Sequence, residues 1–252
     1  MNIIDTSANA KVTSSYGRFI PRAWAYVSKE NQKNLKNIPL FDLNPIEYSL
    51  SSPNLKDYTD IIFQSIPSVH YFREYDWLHN KNIYTMGQGT KKFLKQGIGF
   101  NATCADIPGS KELIKILPKT DNNKFLIVKG KGGLSYLFDH LNKNKISVEE
   151  IINYERIKYE SYNDIKELFL KSDAIIFSST FSAQIFFEEI YSSDVKAKFF
   201  GISDRIKNYV CDLGYKCKFV EAFDQDVVIS IKNSSSIKSC LATCSTSCNI
   251  SP

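Results

Sequence analysis

The chain has 252 residues, of which 43% are hydrophobic and 23% are charged. These values are ordinary for a globular protein, and 17 Phe and 14 Tyr supply material for a core, which excludes wholesale disorder. The length predicts one large domain or two small ones. No apolar run reaches the ~18 residues of a membrane helix, and the N-terminus lacks a signal-peptide pattern. We therefore expect a soluble, cytoplasmic protein that makes no membrane contact.

The net charge of +5 comes from 32 Lys and Arg against 27 Asp and Glu, and the excess is spread along the chain. Proteins that bind nucleic acid concentrate their basic residues on one face, so this distribution predicts no nucleic-acid partner. A mild positive excess suits an anionic small molecule. The three His and six Cys have no metal-ligand spacing, so no metal site is predicted, and three cysteines bunch in the tail at Cys240, Cys244 and Cys248.

The first predicted α/β segment begins after Asp60. Residues 61–63 form an apolar run typical of a short buried strand, and a turn containing Ser65 leads into a helix. The pattern then predicts, in chain order, a strand at 83–85 running into the turn 87–90, a helix capped by Thr90 and ended by Gly97, a strand at 100–104, and a helix at 111–117 capped by Ser110.

The clearest strand signal, residues 125–128, is followed by a glycine-rich turn at 129–133 (KGKGG) and by a helix at 134–142. A strand, a glycine turn and a helix N-terminus can together direct free backbone N–H groups at an anion, here beside two lysines. A purely structural tight turn is the alternative. The dinucleotide and P-loop fingerprints are absent, which argues against a nucleotide-dependent enzyme.

Residues 61–72 recur as residues 175–186, with six of twelve positions identical at a constant offset (175 − 61 = 114). An offset of this size suits two similar domains rather than a solenoid. After the second copy the pattern predicts a strand at 198–202, a turn at 203–205, a helix ended by Gly214, a strand at 215–221 and a helix at 224–232. The alternation of short strands and helices predicts parallel α/β structure.

In parallel sheets, the loops after the strands line the ligand crevice. Here those loops are rich in Ser, Thr and Gly, which predicts an anion-binding cleft between two domains; ordinary helix capping is the alternative explanation for each hydroxyl. No nucleophile elbow or carboxylate pair is present, so an enzyme of this sequence would work mainly by holding and shaping its substrate. The candidate substrate-binding residues are Ser65, Gly87, Gln88, Thr90, Lys129, Gly130, Lys131, Gly132, Ser179, Thr180 and Ser203.

Five stretches, taken in order, resemble the uroporphyrinogen-III synthase family of tetrapyrrole biosynthesis. They are DIIFQSIPSV (60–69), MGQGT (86–90), IVKGKGG (127–133), VEEIINYER (148–156) and DAIIFSS (173–179), and their order and spacing fit from about residue 38 to residue 232. The chain departs from the family at two places. Ser203 stands where the family has Gly and Ile206 where it usually has Thr, and residues 27–29 replace a turn that usually resembles Thr-Arg-Pro.

The resemblance implies two similar parallel-sheet α/β domains joined by a two-stranded linker, with one domain discontinuous in sequence. The implied discontinuous domain comprises residues 1–38 and 158–252. The inserted domain comprises residues 44–153, and the linkers are residues 39–43 and 154–157.

The resemblance also implies a reaction: cyclisation of hydroxymethylbilane to uroporphyrinogen III, with loss of water and inversion of ring D through a spiro intermediate. The implied enzyme is a monomer that uses no cofactor or metal and has transient contact with the preceding pathway enzyme. Tyr154 matches the tyrosine that follows the family's domain-spanning strand, so it is the expected catalytic residue, assisting hydroxyl loss by hydrogen bonding. A linker aromatic that only packs is the alternative for Tyr154, and a non-catalytic homologue that binds tetrapyrroles or other anions is the alternative function.

Overall fold

A computed structural model of the chain describes residues 1–8, 27–49, 57–118, 122–222 and 226–236. The described chain divides into two compact units. Unit 1 contains residues 1–6, 27–38 and 165–236, and unit 2 contains residues 7–8 and 39–164, without the gaps just given. The cysteines at 240, 244 and 248 and the predicted helix start at 224 lie outside the described residues.

Ten β-strands occur in the described residues. They are β1 (Ile3–Asp5), β2 (Leu35–Asn37), β3 (Phe41–Pro45), β4 (Asp60–Phe63), β5 (Asn82–Thr85), β6 (Lys124–Gly130), β7 (Ser147–Lys158), β8 (Ala174–Phe177), β9 (Lys198–Gly201) and β10 (Cys217–Phe219).

The same part of the chain forms nine α-helices. They are α1 (Lys29–Gln32), α2 (Ile66–His70), α3 (Gln88–Phe93), α4 (Ser110–Ile116), α5 (Tyr136–Lys143), α6 (Asn163–Leu170), α7 (Thr180–Ile185), α8 (Asp204–Asp212) and α9 (Val227–Ser236). A 3₁₀ turn covers Tyr75–Leu78, and π-helical turns extend α3 over Leu94–Ile98 and α7 over Phe186–Ile190. Within the described ranges, no helix combines the length and the apolar character needed to cross a bilayer.

Each unit contains one five-stranded sheet. In unit 1 the strand order is β10-β9-β8-β1-β2, and every neighbouring pair is parallel. In unit 2 the order is β3-β7-β6-β4-β5; β7, β6, β4 and β5 are parallel, and β3 is antiparallel to β7. Helices alternate with these strands along the chain, which confirms the predicted α/β class.

The sequence repeat corresponds to the same local structure in both units. β4 and β8 begin 114 residues apart (174 − 60 = 114), and every residue of both strands is buried. An N-cap serine follows each strand, Ser65 before α2 and Ser179 before α7, and each forms a reciprocal capping box with the serine three residues later. This box satisfies backbone N–H groups that a helix start otherwise leaves unpaired. The repeated serines therefore have a structural role in both units.

Apolar side chains cover both faces of the unit 2 sheet. Along β6, Phe125 and Ile127 belong to one core cluster, while Leu126 and Val128 belong to the cluster on the opposite face. Strands of parallel sheets are buried on both sides, which explains why residues 125–128 are continuously apolar rather than alternating.

Aromatic rings form much of the core of unit 1. Phe177 on β8 lies 5.4 Å from Phe186 and 5.9 Å from Phe199, measured between ring centroids. Phe187 stacks on Tyr215 with centroids 4.2 Å apart. Tilted and stacked ring pairs of this kind contribute stability beyond the area they bury.

The predicted boundaries of α3 are wrong. Gly87, not Thr90, is the N-cap, and Thr90 lies inside the helix with 7% exposure. The helical turns continue past Gly97 because the chain forms a π turn, and they end at Gly99, whose φ of +97° favours glycine.

Four other predicted elements also differ from the structure, and one of them is the strand at 215–221, which covers only Cys217–Phe219. The predicted strand at 100–104 is only an isolated bridge between Tyr84 and Thr103. Ser110 is the first residue of α4, and Gly109 is its N-cap. The helix after the glycine turn starts at Tyr136, two residues later than predicted.

We predict that His70 makes the folding of unit 2 sensitive to acid. The residue is 9% exposed, its ring contacts the rings of Tyr71 and Phe93, and burial lowers the pKa of His70. The unfolded chain therefore takes up this proton more readily than the folded chain. His70 contributes full stability above about pH 6.5 and loses it as the pH falls towards its lower folded pKa.

The measurement is urea unfolding of wild type and His70→Gln at about pH 7.5 and about pH 5.5. We expect the unfolding free energy of the variant to fall less between the two pH values. His79→Gln, which removes an exposed histidine, is the matched control and should keep the wild-type slope. Equal slopes for wild type and His70→Gln would contradict the assignment.

Candidate active site

Three loops of unit 2 follow the carboxyl ends of neighbouring parallel strands. β5, β4 and β6 lie side by side, so the loops after them share one edge of the sheet. The predicted site residues at this edge are Ser65, Gly87, Gln88, Thr90, Lys129, Gly130, Lys131 and Gly132.

The end of β7 reaches this edge with an irregular register. Lys129 of β6 pairs with Ile152, but Gly130 pairs with Tyr154, so Asn153 is an extra residue and forms a β-bulge. Asn153 and Tyr154 are both buried, which breaks the alternation expected of a regular strand. Bulges bend a strand and redirect its side chains, and this one redirects Tyr154.

The ring of Tyr154 lies directly over the backbone of Gly130. A Cβ placed on Gly130 would be 2.3 Å from the Tyr154 Cζ atom and 2.7 Å from both neighbouring ring carbons. No real side chain tolerates that approach, so only glycine allows this ring position. Tyr154 as a whole is 8% exposed.

The hydroxyl of Tyr154 meets the first turn of α2. Its oxygen lies 3.0 Å from the Ser65 hydroxyl, and either group can be the donor. The Ser65 oxygen also accepts the Ser68 N–H at 3.2 Å, and the Ser65 N–H donates to the Ser68 hydroxyl at 3.1 Å. The structure thus brings together two predicted site residues, the catalytic candidate Tyr154 and the loop serine Ser65.

A second tyrosine, Tyr71, packs against Tyr154. The rings of Tyr71 and Tyr154 stack with centroids 6.1 Å apart, and the Tyr71 hydroxyl donates to the Leu43 carbonyl at 2.8 Å. Burial raises the pKa of Tyr71, and the Asp42 carboxylate raises it further. Tyr71 is therefore a neutral phenol whose hydroxyl proton is hydrogen-bonded to the Leu43 carbonyl.

The glycine-rich segment is a tight turn. The Gly133 N–H donates to the Gly130 carbonyl at 2.9 Å, and Gly132 has a φ of +70° at the third position, where type II turns require glycine. Gln64, directly after β4, spans this turn by donating to the Leu134 carbonyl at 3.1 Å. The structural alternative considered for the turn is thus observed, and its anion-binding role stays a prediction.

The two lysines of the turn have different surroundings. Lys129 is 5% exposed, and its ammonium lies 2.7 Å from the Glu150 carboxylate on β7. Lys131 pairs with Glu155 at 2.9 Å, but its side chain is 67% exposed. A buried, paired ammonium has a clear structural role, whereas Lys131 can exchange its exposed partner for another anion.

The β5 loop presents one exposed and one buried predicted residue. Gln88 is exposed at the start of α3, whereas Thr90 is buried in its first turn. A Cβ on Gly87 would approach Pro108 Cβ to 3.3 Å, so the backbone here is closely covered by the loop before α4.

The remaining predicted residues belong to unit 1. Ser179 and Ser203 are N-caps that accept the N–H groups of Ser182 and Ile206, and Thr180 is the first residue of α7. Ile206, which replaces the family's usual threonine, is 2% exposed. A Cβ on Gly201 would lie 3.1 Å from its Cγ2 atom, so the side chain fills the space against β9.

A family model described as Uroporphyrinogen-III synthase HemD matches residues 36–226, which is well over half of the chain. The chain belongs to the uroporphyrinogen-III synthase family. This family consists of lyases of heme biosynthesis, and the resemblance seen in the five sequence stretches is confirmed.

Solved structures support the same fold. The chain is similar to uroporphyrinogen-III synthetase from Helicobacter pylori, with a TM-score of 0.61 and 17% identity over 93% of this chain and 99% of that one. It is also similar to a mutant uroporphyrinogen III synthase from Thermus thermophilus, with a TM-score of 0.55 and 13% identity over 93% of this chain and 97% of that one. No curated protein sequence matches the chain significantly.

Several residues that shape this candidate site were not singled out from the sequence. Asn153 forms the bulge, Tyr71 stacks on Tyr154, Gln64 spans the glycine turn, and Glu150 pairs with Lys129. Of these residues, only Glu150 could have been found from the sequence, because Lys129 and Glu150 carry opposite charges on consecutive strands. A bulge cannot be read from the sequence of one strand, because it is defined by how that strand pairs with its neighbour.

We predict that Gly130 and Gly132 respond differently to alanine. Gly130→Ala forces a methyl group into the Tyr154 ring and should lower the unfolding free energy by about 1–3 kcal/mol, as overpacked sites do. A methyl group at Gly132 would have open space around it. Gly132→Ala should therefore lower the unfolding free energy by about 1–2 kcal/mol only because alanine disfavours the left-handed backbone there.

A double-mutant cycle with Tyr154→Ala separates the two causes. Removing the ring should abolish the packing cost of Gly130→Ala, and should change the cost of Gly132→Ala by less than about 0.5 kcal/mol. Chemical denaturation provides the free energies. If the Gly130 and Gly132 variants couple equally to Tyr154, the close approach of ring and backbone is wrong.

Proposed function

We propose that this chain is an active uroporphyrinogen-III synthase, which closes hydroxymethylbilane to uroporphyrinogen III with loss of water and inversion of ring D. The observation that carries the proposal is the Tyr154 phenol, 3.0 Å from the Ser65 hydroxyl at the carboxyl edge of the unit 2 sheet, in a chain of this family. A buried ring with a hydrogen-bonded hydroxyl has a defined position, which proton transfer requires.

In the proposed reaction, the Tyr154 hydroxyl donates a hydrogen bond to the terminal hydroxyl of hydroxymethylbilane as its C–O bond breaks. The leaving group departs as water, and the pyrrole supplies the electron pair that makes the azafulvene. Ring D then attaches through its substituted carbon, and the spiro intermediate recloses with the ring inverted. The proton lost from the ring carbon at closure balances the proton delivered to the leaving group.

We infer that the reaction needs no cofactor. Loss of water followed by carbon–carbon bond formation involves no net oxidation or reduction, so no electron carrier is required. Uncatalysed closure gives the uninverted isomer, so the protein must favour one folded shape of a reactive intermediate. Positioning of the substrate can supply that preference.

For substrate binding we propose the residues predicted from the sequence, but we assign them different roles. Lys131 is the best placed to meet an acetate or propionate side chain, because its exposed ion pair is easily exchanged. Lys129 would first have to leave Glu150, so we assign it to holding β6 against β7. Gly130 and Gly132 shape the turn. The remaining proposed contacts are Ser65, Gly87, Gln88, Thr90, Ser179, Thr180 and Ser203.

We also infer that residues 39–43 and 154–157 carry the chain between a discontinuous and an inserted domain. The support is their pairing: Asp42 of β3 is opposite Ile157 of β7, and Leu43 is opposite Arg156. Two antiparallel segments side by side would make a stiffer connection than two separate loops. The catalytic tyrosine would then lie on this connection.

We predict that Tyr154→Phe slows uroporphyrinogen III formation by about a hundredfold, at the lower end of the effect of a positioned proton donor. Ser65→Ala should slow it by about tenfold or less, since one hydrogen bond contributes about 1 kcal/mol. Tyr71→Phe is the matched control: it removes a phenol that donates to the Leu43 carbonyl, not to substrate. It should lower stability more than rate.

Rates are measured by chromatography of the oxidised products, with the unfolding free energy of each variant measured in parallel. If Tyr154→Phe turns over like wild type while a serine or threonine variant is inactive, the proton donor has been misassigned. Equal losses in Tyr154→Phe and Tyr71→Phe would mean that loss of a structural hydroxyl hydrogen bond, and not loss of proton donation by Tyr154, lowers the rate.

A further inference from the structure

The extra residue of the β-bulge, Asn153, has a side chain that the proposed reaction does not use. It is fully buried, and its amide nitrogen donates to the Ser68 carbonyl at 2.8 Å, although the two residues are 85 apart in sequence. Its backbone carbonyl accepts the Ile46 N–H at 3.0 Å, just after β3. Asn153 therefore joins three segments of unit 2 at one point.

The direction of the side chain is unusual for a strand. Neighbouring residues of a regular strand point to opposite faces of the sheet. Here Asn153 contacts Ser68 and the next residue, Tyr154, contacts Ser65, so both side chains reach the same short helix, α2. Only the bulge makes this possible, and the Asn153 amide is the side chain that fastens the bulge to the helix.

The other half of the amide has no partner in the part of the chain that the structure describes. The Asn153 Oδ1 atom is buried and accepts no hydrogen bond from the described residues. A buried, unpaired acceptor costs free energy, and an apolar side chain of similar size would avoid that cost. The amide is therefore a poor choice for stability alone, and what it supplies is the directed contact to Ser68.

That contact controls the serine that Tyr154 touches. Ser68 and Ser65 form the capping box of α2, with the Ser68 hydroxyl donating to the Ser65 carbonyl at 2.7 Å. Holding the Ser68 carbonyl against the bulge fixes the first turn of α2 relative to β7. The distance between the Tyr154 and Ser65 hydroxyls follows from that placement.

We propose that Asn153 is a positioning residue for the proton donor: its amide anchors the bulge to α2 and so holds the Tyr154 hydroxyl beside Ser65. The proposal rests on the proposed function for its kinetic consequence. Asn153 itself touches no reacting atom. Its effect on the rate should pass entirely through Tyr154.

The kinetic test is a double-mutant cycle between Asn153→Leu and Tyr154→Phe. Asn153→Leu keeps the approximate volume and removes both polar atoms. We expect kcat to fall on the order of tenfold to a hundredfold with KM nearly unchanged, since misplacement of a catalytic group acts in the transition state. In the Tyr154→Phe background the same change should lower kcat by less than about twofold.

Two controls separate positioning from general damage. Asn142→Leu makes the same substitution on an exposed face of α5 and should leave kcat unchanged. Denaturation midpoints should place Asn153→Leu close to wild type, because removal of the unpaired Oδ1 offsets the loss of the amide donor to the buried Ser68 carbonyl. If Asn153→Leu does not fold, Asn153→Ala replaces it in the cycle. Equal losses of kcat in both backgrounds would overturn the proposal.

A readout without substrate tests the geometry independently of the function. Fluorotyrosine labelling gives one ¹⁹F resonance for Tyr154, assigned by its absence in Tyr154→Phe. We expect Asn153→Leu and Ser65→Ala both to shift this resonance, and Asn142→Leu to leave it in place. If Asn153→Leu shifts the resonance but the wild-type protein proves inactive, the positioning is supported and the proposed function is rejected. An unshifted resonance in Asn153→Leu would overturn the positioning even if the enzyme is active.

Discussion

The close approach of the Tyr154 ring to the backbone of Gly130 is the constraint on which the site of unit 2 depends. It requires a residue without a Cβ at the end of β6, and it requires a bulge in β7 that turns Tyr154 towards that residue. Once the ring lies there, its hydroxyl reaches Ser65, and the N-terminus of α2 becomes part of the same network. Gly130, the bulge in β7 and the N-cap of α2 together fix the position of the Tyr154 hydroxyl.

The internal repeat separates the part of this arrangement that both units share from the part that is particular to unit 2. Both units carry a buried strand followed by a serine capping box, so capping alone accounts for Ser65 and Ser179 as helix starts. Ser65 has a further bond to a phenol, whereas the Ser179 hydroxyl bonds to Ser182 within its own cap. The same local structure therefore serves stability in unit 1 and, in our account, catalysis in unit 2.

The sequence was most informative where the physical signal is local. The run at 125–128, the repeat and the serine turns each predicted real elements, because burial on both faces and helix capping act over a few residues. Thr90 and Ser110 were misjudged as caps because glycines one to three residues earlier already adopt the capping position. Asn153 and the burial of Lys129 escaped prediction because both depend on how β6 and β7 pair, and register is a property of two strands.

The account is tested most directly by the isomer that the wild-type protein makes. Freshly generated hydroxymethylbilane is incubated with the purified chain, and the products are oxidised and separated by chromatography. We predict that the type III isomer dominates and forms faster than spontaneous closure. Formation of only the type I isomer, at the rate seen without protein, would show that the chain does not direct ring closure and would contradict the account.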